Sequence, residues 1–469
     1  MYVKKSPNII YREYSGFGYL SDNRNYGYDT ASHSSTKVGD LVLSKEGYVF
    51  CSVLSSSYRS IESLVQQLLR VFSGISEEQL MRDAISFYKE LSNCGFVLVS
   101  NNPTEHIIND WFSYDNRNTY AFDNENVDYY SPDSTTAHRL LRVHIDISSG
   151  CNEQCIHCYI PTEKRTGVMT ADLFNHILGQ CIEIGVQNIT ISGGEPILNK
   201  HLADFLIKCG NNNFSVNLLS NLTLLTDDLI SILRCNPLFS VQTSLYSMDE
   251  HIHDLITGVS GSFRKTVSAI GKLHKHNIPM QINTPIIKQN ANSYDSVKKW
   301  ANMMNITSSN DLMLFGCYDN SCSNLHCRIP MSDIKSILQR KFQNHQEVET
   351  AIRDAEAKQI SEHSPICSVC KNSLCISSHG EVYPCEGWQG LKIGNLNKQS
   401  LLDIWNNNPI VHQLRSLTFK DFKSCMKCSN RRYCPTCLIM NANEDDQGDI
   451  FAINPYMCEI ARIKHGLLG

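Results

Sequence analysis

The chain has 469 residues, and its 42 Lys and Arg stand against 47 Asp and Glu with neither sign gathered into a long block. That length exceeds what one hydrophobic core serves efficiently, so two or three domains are expected, and the balanced charge argues against nucleic acid or an anionic membrane as a partner. No apolar stretch approaches the roughly 18 residues of a membrane helix, and the opening MYVKKSPNIIYREYSG lacks the apolar core of a secretion signal, which predicts a cytoplasmic protein with no membrane contact. In that compartment 20 cysteines read as metal ligands and reduced thiols rather than as a disulfide framework.

Residues 1–100 read as a small separate unit. It begins with short Tyr- and Gly-rich segments and a strand expected at Gly47 to Cys51. Helical spacing follows at Ile61, Leu64, Val65, Leu68, Leu69 and Phe72 behind a Ser60 cap. Ser76 and Gln79 form a capping-box pattern ahead of Leu80, Ala84, Phe87, Tyr88 and Leu91, and Cys94-Gly95 stops that second helix before a strand at Phe96 to Val99. Helices on a small sheet make a winged-helix-like α+β domain, and a free strand edge beside a helix can accept an extended peptide. The unit resembles the precursor-recognition domain fused to many peptide-modifying enzymes, although helix-helix-strand is also an ordinary small domain. Residues 101–136, rich in Asn, Asp, Ser and Tyr, are expected to form a linker or a lining segment.

From residue 137 the pattern alternates strand and helix. Leu140 to Ile147 is a strand, and Thr170 caps a helix carrying Leu173, Phe174, Ile177, Leu178, Cys181 and Ile182. Further strands are expected at Val186 to Ile191, Phe214 to Leu219, Phe239 to Leu245, Ile278 to Ile286 and Leu312 to Phe315, with helices between them such as Phe263 to His274. Repeated βα units imply an α/β fold with a parallel sheet curved into a partial (βα)6 barrel over residues 137–330, followed by a helical bridge over 331–364.

Ligands of such sheets sit at the carboxyl ends of the strands, and the chemical motifs fall there. After the first strand comes Ser148 to Tyr159, SSGCNEQCIHCY, with Cys151, Cys155 and Cys158 in a C-x3-C-x2-C array. Thiolates so close together can surround one metal centre, and sulfur selects iron-sulfur clusters, zinc or copper(I). Three ligands leave a four-iron cluster with one iron open to a small molecule; zinc ordinarily takes four ligands, and no second pair lies close by. Ser192-Gly193-Gly194-Glu195-Pro196 follows the second strand, Ser220-Asn221 the third and Ser244-Leu245-Tyr246 the fourth. Glycine lets backbone approach a ligand closely, and a carbonyl or the Glu195 carboxylate can accept from an ammonium group.

The tail from residue 365 to 469 is a cysteine-rich domain. Cys367 and Cys370 precede Gly380-x4-Cys385, then come Cys425-x2-Cys428-x5-Cys434-x2-Cys437 and finally Cys458, with Cys375 surplus. Two interleaved four-thiolate sites fit this inventory; a zinc-binding tail is the alternative. Cys51, Cys94, Cys181, Cys209, Cys235, Cys317, Cys322 and Cys327 read as single thiols, mostly buried, the last three placed after the final barrel strand.

The array with His157 before its last cysteine and Tyr159 after it resembles the signature of radical S-adenosylmethionine enzymes, and the tail resembles their SPASM extension. The resemblance covers nearly the whole chain. It implies S-adenosylmethionine and three 4Fe-4S clusters as cofactors, with Cys151, Cys155 and Cys158 holding the first cluster. Gly193, Gly194 and Glu195 match the motif for the methionine amino group; Ser220, Asn221 and Ser244 match positions that reach the ribose or carboxylate. Ile286 matches the adenine contact, and His157 adjoins the cofactor. One auxiliary cluster would take Cys367, Cys370, Cys385 and Cys437, the other Cys425, Cys428, Cys434 and Cys458. The tail departs from the family in having two residues rather than three between Cys434 and Cys437, and Cys375 could replace Cys367 or Cys370. The implied activity is hydrogen abstraction by a 5'-deoxyadenosyl radical from a ribosomally made precursor peptide, closing a thioether or carbon-carbon cross-link. Its leader would dock on residues 1–100, and a flavodoxin or ferredoxin would supply electrons. The alternatives are a radical maturase of a folded protein, as in sulfatase formylglycine maturation, a radical enzyme acting on a small molecule such as a haem precursor, and a non-catalytic zinc-binding peptide adaptor. Glu386 and Asp319 lie in segments where an acid or base could stand, with a solvated carboxylate the plainer account of each.

Overall fold

In the computed structural model the described residues are 1–14, 16–23, 38–102, 139–358 and 360–469. The linker expected over 101–136 lies, beyond Asn102, outside them. No helix among the described residues is long and apolar enough to cross a membrane.

The N-terminal unit contains β1 (Tyr2–Lys5), β2 (Ile9–Tyr14), β3 (Phe17–Asp22), β4 (Asp40–Ser44), α1 (Lys45–Ser52), β5 (Arg59–Ser60), α2 (Ile61–Leu68), α3 (Glu77–Asn93) and β6 (Val97–Ser100). Its strands form two antiparallel sheets, β5-β1-β6 and β2-β3-β4. Both expected helices are present, Ser60 and Ser76 accepting from the backbone N–H of Ser63 and Gln79. Only half of the second capping box forms, because the Gln79 side chain turns to Asp83 instead of back to the cap. The strand expected at Gly47 to Cys51 is instead α1. Ser44 caps it through Gly47 N–H, and tertiary packing overrides the β preference of Tyr48, Val49 and Phe50. The Phe50 ring lies 5.1 Å from Phe87 of α3 and 5.6 Å from Phe72, while Tyr48 covers Gly18, where any Cβ would overlap its ring.

The unit has its own core around Leu64, Tyr88 and Phe96, but it is docked rather than separate. Ile10 enters the main core, Arg12 Nε donates to Val186 O at 2.7 Å, and Tyr14 Oη donates to Gly185 O at 2.9 Å. The Arg12 guanidinium also covers the Phe214 ring at 4.5 Å.

Residues 139–311 supply β7 (Arg142–Ser148), α4 (Ala171–Ile184), β8 (Asn188–Gly193), α5 (Leu202–Asn211), β9 (Ser215–Leu219) and α6 (Asp227–Arg234). They continue with β10 (Phe239–Ser244), α7 (Glu250–Thr257), α8 (Ser262–Lys275), β11 (Met280–Pro285), α9 (Tyr294–Met303) and β12 (Thr307–Asp311). These six strands are parallel and consecutive in the sheet, as a partial barrel requires. The sixth comes earlier than its apolar content suggests. Its sequence is TSSND, paired to β11 from Thr307 to Asp311, while Leu312 and Leu314 follow it as buried loop residues. An edge strand has one neighbour and little covering surface, so polar residues are tolerated there.

The bridge consists of α10 (Met331–Lys341) and α11 (His345–Ala357). The tail adds β13 (Ser373–Ile376), β14 (Glu381–Tyr383), β15 (Gly394–Asn395), α12 (Leu401–Asn407), α13 (Pro409–Ser416), α14 (Leu438–Glu444) and α15 (Pro455–Leu468). Its first strand pairs parallel with β7, Cys375 opposite His144, and β14 and β15 continue antiparallel. The sheet is therefore nine-stranded and mixed, and the tail is built onto the barrel edge, with Trp405, Leu414 and Phe419 in the same hydrophobic core as Val143 and Ile145.

Candidate functional site

The strand ends converge as the sequence implies. After β7 the cysteine loop is stitched to the turn after β8: Gly194 N–H donates to Ser148 O at 2.7 Å and Glu195 N–H to Gly150 O at 2.8 Å. Gly193 has φ +130°, and a Cβ there would overlap the Ser148 carbonyl; one on Gly194 would overlap Gly150. The two glycines thus admit the backbone of the cysteine loop itself.

Cys151, Cys155 and Cys158 are near enough to influence one another's ionisation, and burial pushes the Cys151 thiol up to about 11. All 20 thiols are free. The surroundings fit a metal cluster with a polar ligand. Cys151 Sγ accepts from Glu153 N–H at 3.4 Å and faces Asn221 Nδ2 at 3.9 Å, while Glu153 Oε1 and His157 Nδ1 are buried with no partner. Tyr246 Oη stands 3.2 Å from His157 Nε2 and 4.0 Å from Cys155 Sγ. Burial lowers the His157 pKa to about 4 and raises that of Glu153 to about 7.

A cavity of about 840 Å³ opens over this loop. Its wall includes the three cysteines, His157, Gly193, Gly194, Ser220, Asn221 and Ser244, together with Cys385 and Glu386 of the tail. Two expected cofactor residues are not on it. Glu195 is fully buried, its carboxylate accepting from Ser220 Oγ at 2.7 Å, Asn221 N–H at 2.8 Å and Ile197 N–H at 3.0 Å. Burial lifts its pKa to about 7 against those three donors. Ile286 packs with Tyr294, Leu312 and Ile329.

The tail cysteines lie in two neighbourhoods. Cys367 lies within electrostatic reach of Cys370, Cys385 and Cys437. Cys458 stands likewise by Cys425, Cys428 and Cys434. Cys375 lies within electrostatic reach of Cys385 in the first neighbourhood, and its thiol also lies within 4.8 Å of ligand atoms of His144 and Asp146, on the strand pair that joins tail to barrel. Cys317 and Cys327 do approach the cysteine loop, their thiols 3.9 Å from Cys158 O and 4.0 Å from Ile156 O. Sequence reasoning gave no role to Glu153, to Tyr246 within its strand-end motif, or to the His144–Asp146 pair; the alternation Val143, His144, Ile145, Asp146 on a barrel strand was the available signal for the last.

A model of the radical SAM superfamily matches residues 145–301. The fold and the cysteine site thus define a radical S-adenosylmethionine enzyme, which binds S-adenosylmethionine and a 4Fe-4S cluster. Residues 367–430 match the SPASM iron-sulfur cluster-binding domain, which carries additional clusters, so the chain is a radical SAM enzyme of the SPASM kind. It is 25% identical over 329 residues to the AdoMet-dependent heme synthase of Methanosarcina barkeri, covering 65% of this chain and 92% of that one. It is 24% identical over 319 residues to the antilisterial bacteriocin subtilosin biosynthesis protein AlbA of Bacillus subtilis, covering 65% and 68%. In fold it is similar to Streptococcus suis SuiB bound to the precursor peptide SuiA, with TM-score 0.59, 15% identity, and coverage of 98% of this chain and 100% of that one.

Proposed function

We propose that this chain modifies a ribosomally made precursor peptide by radical chemistry and closes a thioether or carbon-carbon cross-link in it. One observation carries the reading: the Cys151 loop and Cys385 and Glu386 of the tail line one and the same cavity, so a peptide side chain held there would share it with both cysteine sites. When bound, the first cluster and S-adenosylmethionine supply the 5'-deoxyadenosyl radical that removes a substrate hydrogen.

The chain's own residues bind and orient. Cys151, Cys155 and Cys158 hold the first cluster, while Cys367, Cys370, Cys385 and Cys437 form one auxiliary site and Cys425, Cys428, Cys434 and Cys458 the other. His157, Gly193, Gly194, Ser220, Asn221 and Ser244 border the S-adenosylmethionine space, with Glu195 and Ile286 shaping it from behind. The neutral carboxamides and hydroxyls of Asn188, Thr190, Asn217, Gln242 and Asn283 line the barrel beneath and suit a peptide backbone. The leader would add as a strand along β6, which pairs only with β1 among the described residues and packs on α3. A flavodoxin or ferredoxin would deliver electrons, in the cytoplasm.

AlbA takes part in the biosynthesis of a bacteriocin, and SuiB was solved with a precursor peptide, which supports a peptide as substrate. The likeness to a heme synthase keeps a small-molecule substrate as the second reading, but that match reaches only 65% of this chain, whereas SuiB matches 98%. The decisive experiment is anaerobic reconstitution with iron and sulfide, then reduction with S-adenosylmethionine and a leader-bearing peptide. Wild type should yield 5'-deoxyadenosine and a peptide lighter by two hydrogens, and the variant with Cys151, Cys155 and Cys158 all changed to Ala should yield neither. Deoxyadenosine with no peptide product from any leader-bearing substrate would overturn the peptide reading.

A further inference from the structure

We propose that His144, held in place by Asp146, accepts the proton of the peptide group that closes the cross-link, an inference that rests on the function proposed above. The dyad is built into the barrel wall. On β7 Ile145 and Ile147 are buried in the core away from the cavity, whereas Arg142, Val143 and His144 line it. Its Nε2 lies 3.0 Å from Asp146 Oδ1, and the other oxygen, Oδ2, accepts from Gln389 Nε2 at 2.6 Å. A carboxylate only accepts, so Nε2 carries the hydrogen and Nδ1 keeps its lone pair. Nδ1 has no partner among the described residues, on a ring fixed from behind.

The groups that face the ring are Asp146 on its own strand, Cys375 on β13 and Glu386 from the tail. Burial works against a proton on His144, but the two carboxylates outweigh it and hold the pKa above the usual imidazole value. Among the other residues on the cavity, Asn188, Thr190, Asn217, Gln242 and Asn283 are neutral and Arg142 is already cationic, so none of these accepts a proton, while His157, Glu153 and Glu386 sit beside thiols expected to be committed to clusters. A resident metal on His144, Asp146 and Cys375 is disfavoured because the His144 and Gln389 hydrogen bonds already occupy the carboxylate oxygens.

The step moves one proton. For a thioether, the cysteine S–H breaks, sulfur keeps the electron pair, and an Nδ1–H bond forms on His144, giving an imidazolium paired with Asp146. A free thiol near 8.5 and an imidazole above 6.5 differ by about two units or less, which makes the transfer accessible.

Two readouts test this on the reconstituted enzyme. First, diethyl pyrocarbonate should label His144 Nδ1, read by mass spectrometry; bound peptide should protect it, and Asp146→Asn should lower the pH at which labelling is half-maximal. Absence of labelling, no protection by a peptide that is turned over, or an unchanged midpoint overturns the dyad. Second, in His144→Gln the ratio of cross-linked peptide to 5'-deoxyadenosine should fall about 100-fold, the size of a lost general base, and the acid limb of its pH profile should disappear. An unchanged ratio and profile overturn the assignment, as does zinc or iron that is lost specifically from Cys375→Ala. If wild type modifies no peptide, the functional reading fails, and the labelling midpoints in wild type and Asp146→Asn still decide the dyad.

Discussion

The Glu195 carboxylate accepts the Ser220 hydroxyl at 2.7 Å and so ties the turn after β8 to the end of β9. Removing it leaves Ser220 Oγ and the N–H groups of Asn221 and Ile197 without their acceptor in a dry site. Glu195→Ala should therefore cost about 3 kcal/mol of stability and shift Ser220 and Asn221 on the cavity wall. Urea unfolding, together with a raised KM for S-adenosylmethionine in deoxyadenosine formation, checks it.

Gly193→Ala acts one residue earlier and through sterics alone. At φ +130° a methyl would overlap the Ser148 carbonyl, so the cysteine loop must move away from β8. We expect circular dichroism close to wild type and a loss of about four irons per chain on reconstitution, measured by iron and sulfide assay.

The tail should separate in the same assay. Cys458→Ala and Cys367→Ala each break a different quartet and should each lower iron by about four, whereas Cys375→Ala, whose thiol sits at the His144 junction, should keep the full complement. Iron loss in Cys375→Ala comparable to that in Cys367→Ala would place Cys375 in a cluster.

Acid sensitivity has a definite source in His253. Its ring is buried, Nδ1 accepts from Tyr246 N–H at 3.3 Å, Nε2 has no partner, and burial lowers its pKa to about 4. Between pH 6.5 and about 4 the unfolded chain takes up a proton that the folded chain refuses, so stability falls as pH falls through that window. At pH 5 this one residue should cost about 2 kcal/mol relative to pH 8. In His253→Gln the difference in urea midpoint between those pH values should shrink.

Arg12 anchors the N-terminal unit on the barrel through Val186 O and the Phe214 ring. Arg12→Ala should free that unit: faster hydrogen exchange in β2 and β3, about 2 kcal/mol lost, and weaker peptide modification than deoxyadenosine formation. Equal exchange in both proteins would show that the contact does no anchoring.

Much of this site was legible in the chain because its signals are short-range. The spacing of Cys151, Cys155 and Cys158, the two glycines of the β8 turn and the caps at Ser60, Ser76 and Thr170 each depend on residues a few positions apart. What escaped depends on distant partners. Tyr48, Val49 and Phe50 read as strand until Gly18 and Phe87 pack against them, and Thr307 to Asp311 is too polar to read as strand until β11 pairs with it. His144 looks like any strand histidine until residues from the last hundred, Cys375, Glu386 and Gln389, close around the pair. Glu195 was legible as a site residue but not its direction, which the donors at Ser220 and Asn221 fix.

The parallel pairing of β13 with β7 also bears on how the molecule is made. Residues 142–145 bond to residues 373–376, so the first barrel strand emerges from the ribosome more than two hundred residues before its outer neighbour. Until then that edge presents free N–H and C=O groups of the kind that recruit other chains. A nascent chain therefore carries an uncovered sheet edge through roughly half its synthesis, and chaperone protection in that interval, rather than codon-level speed at the cysteine loop, should limit the yield of active protein in a foreign host.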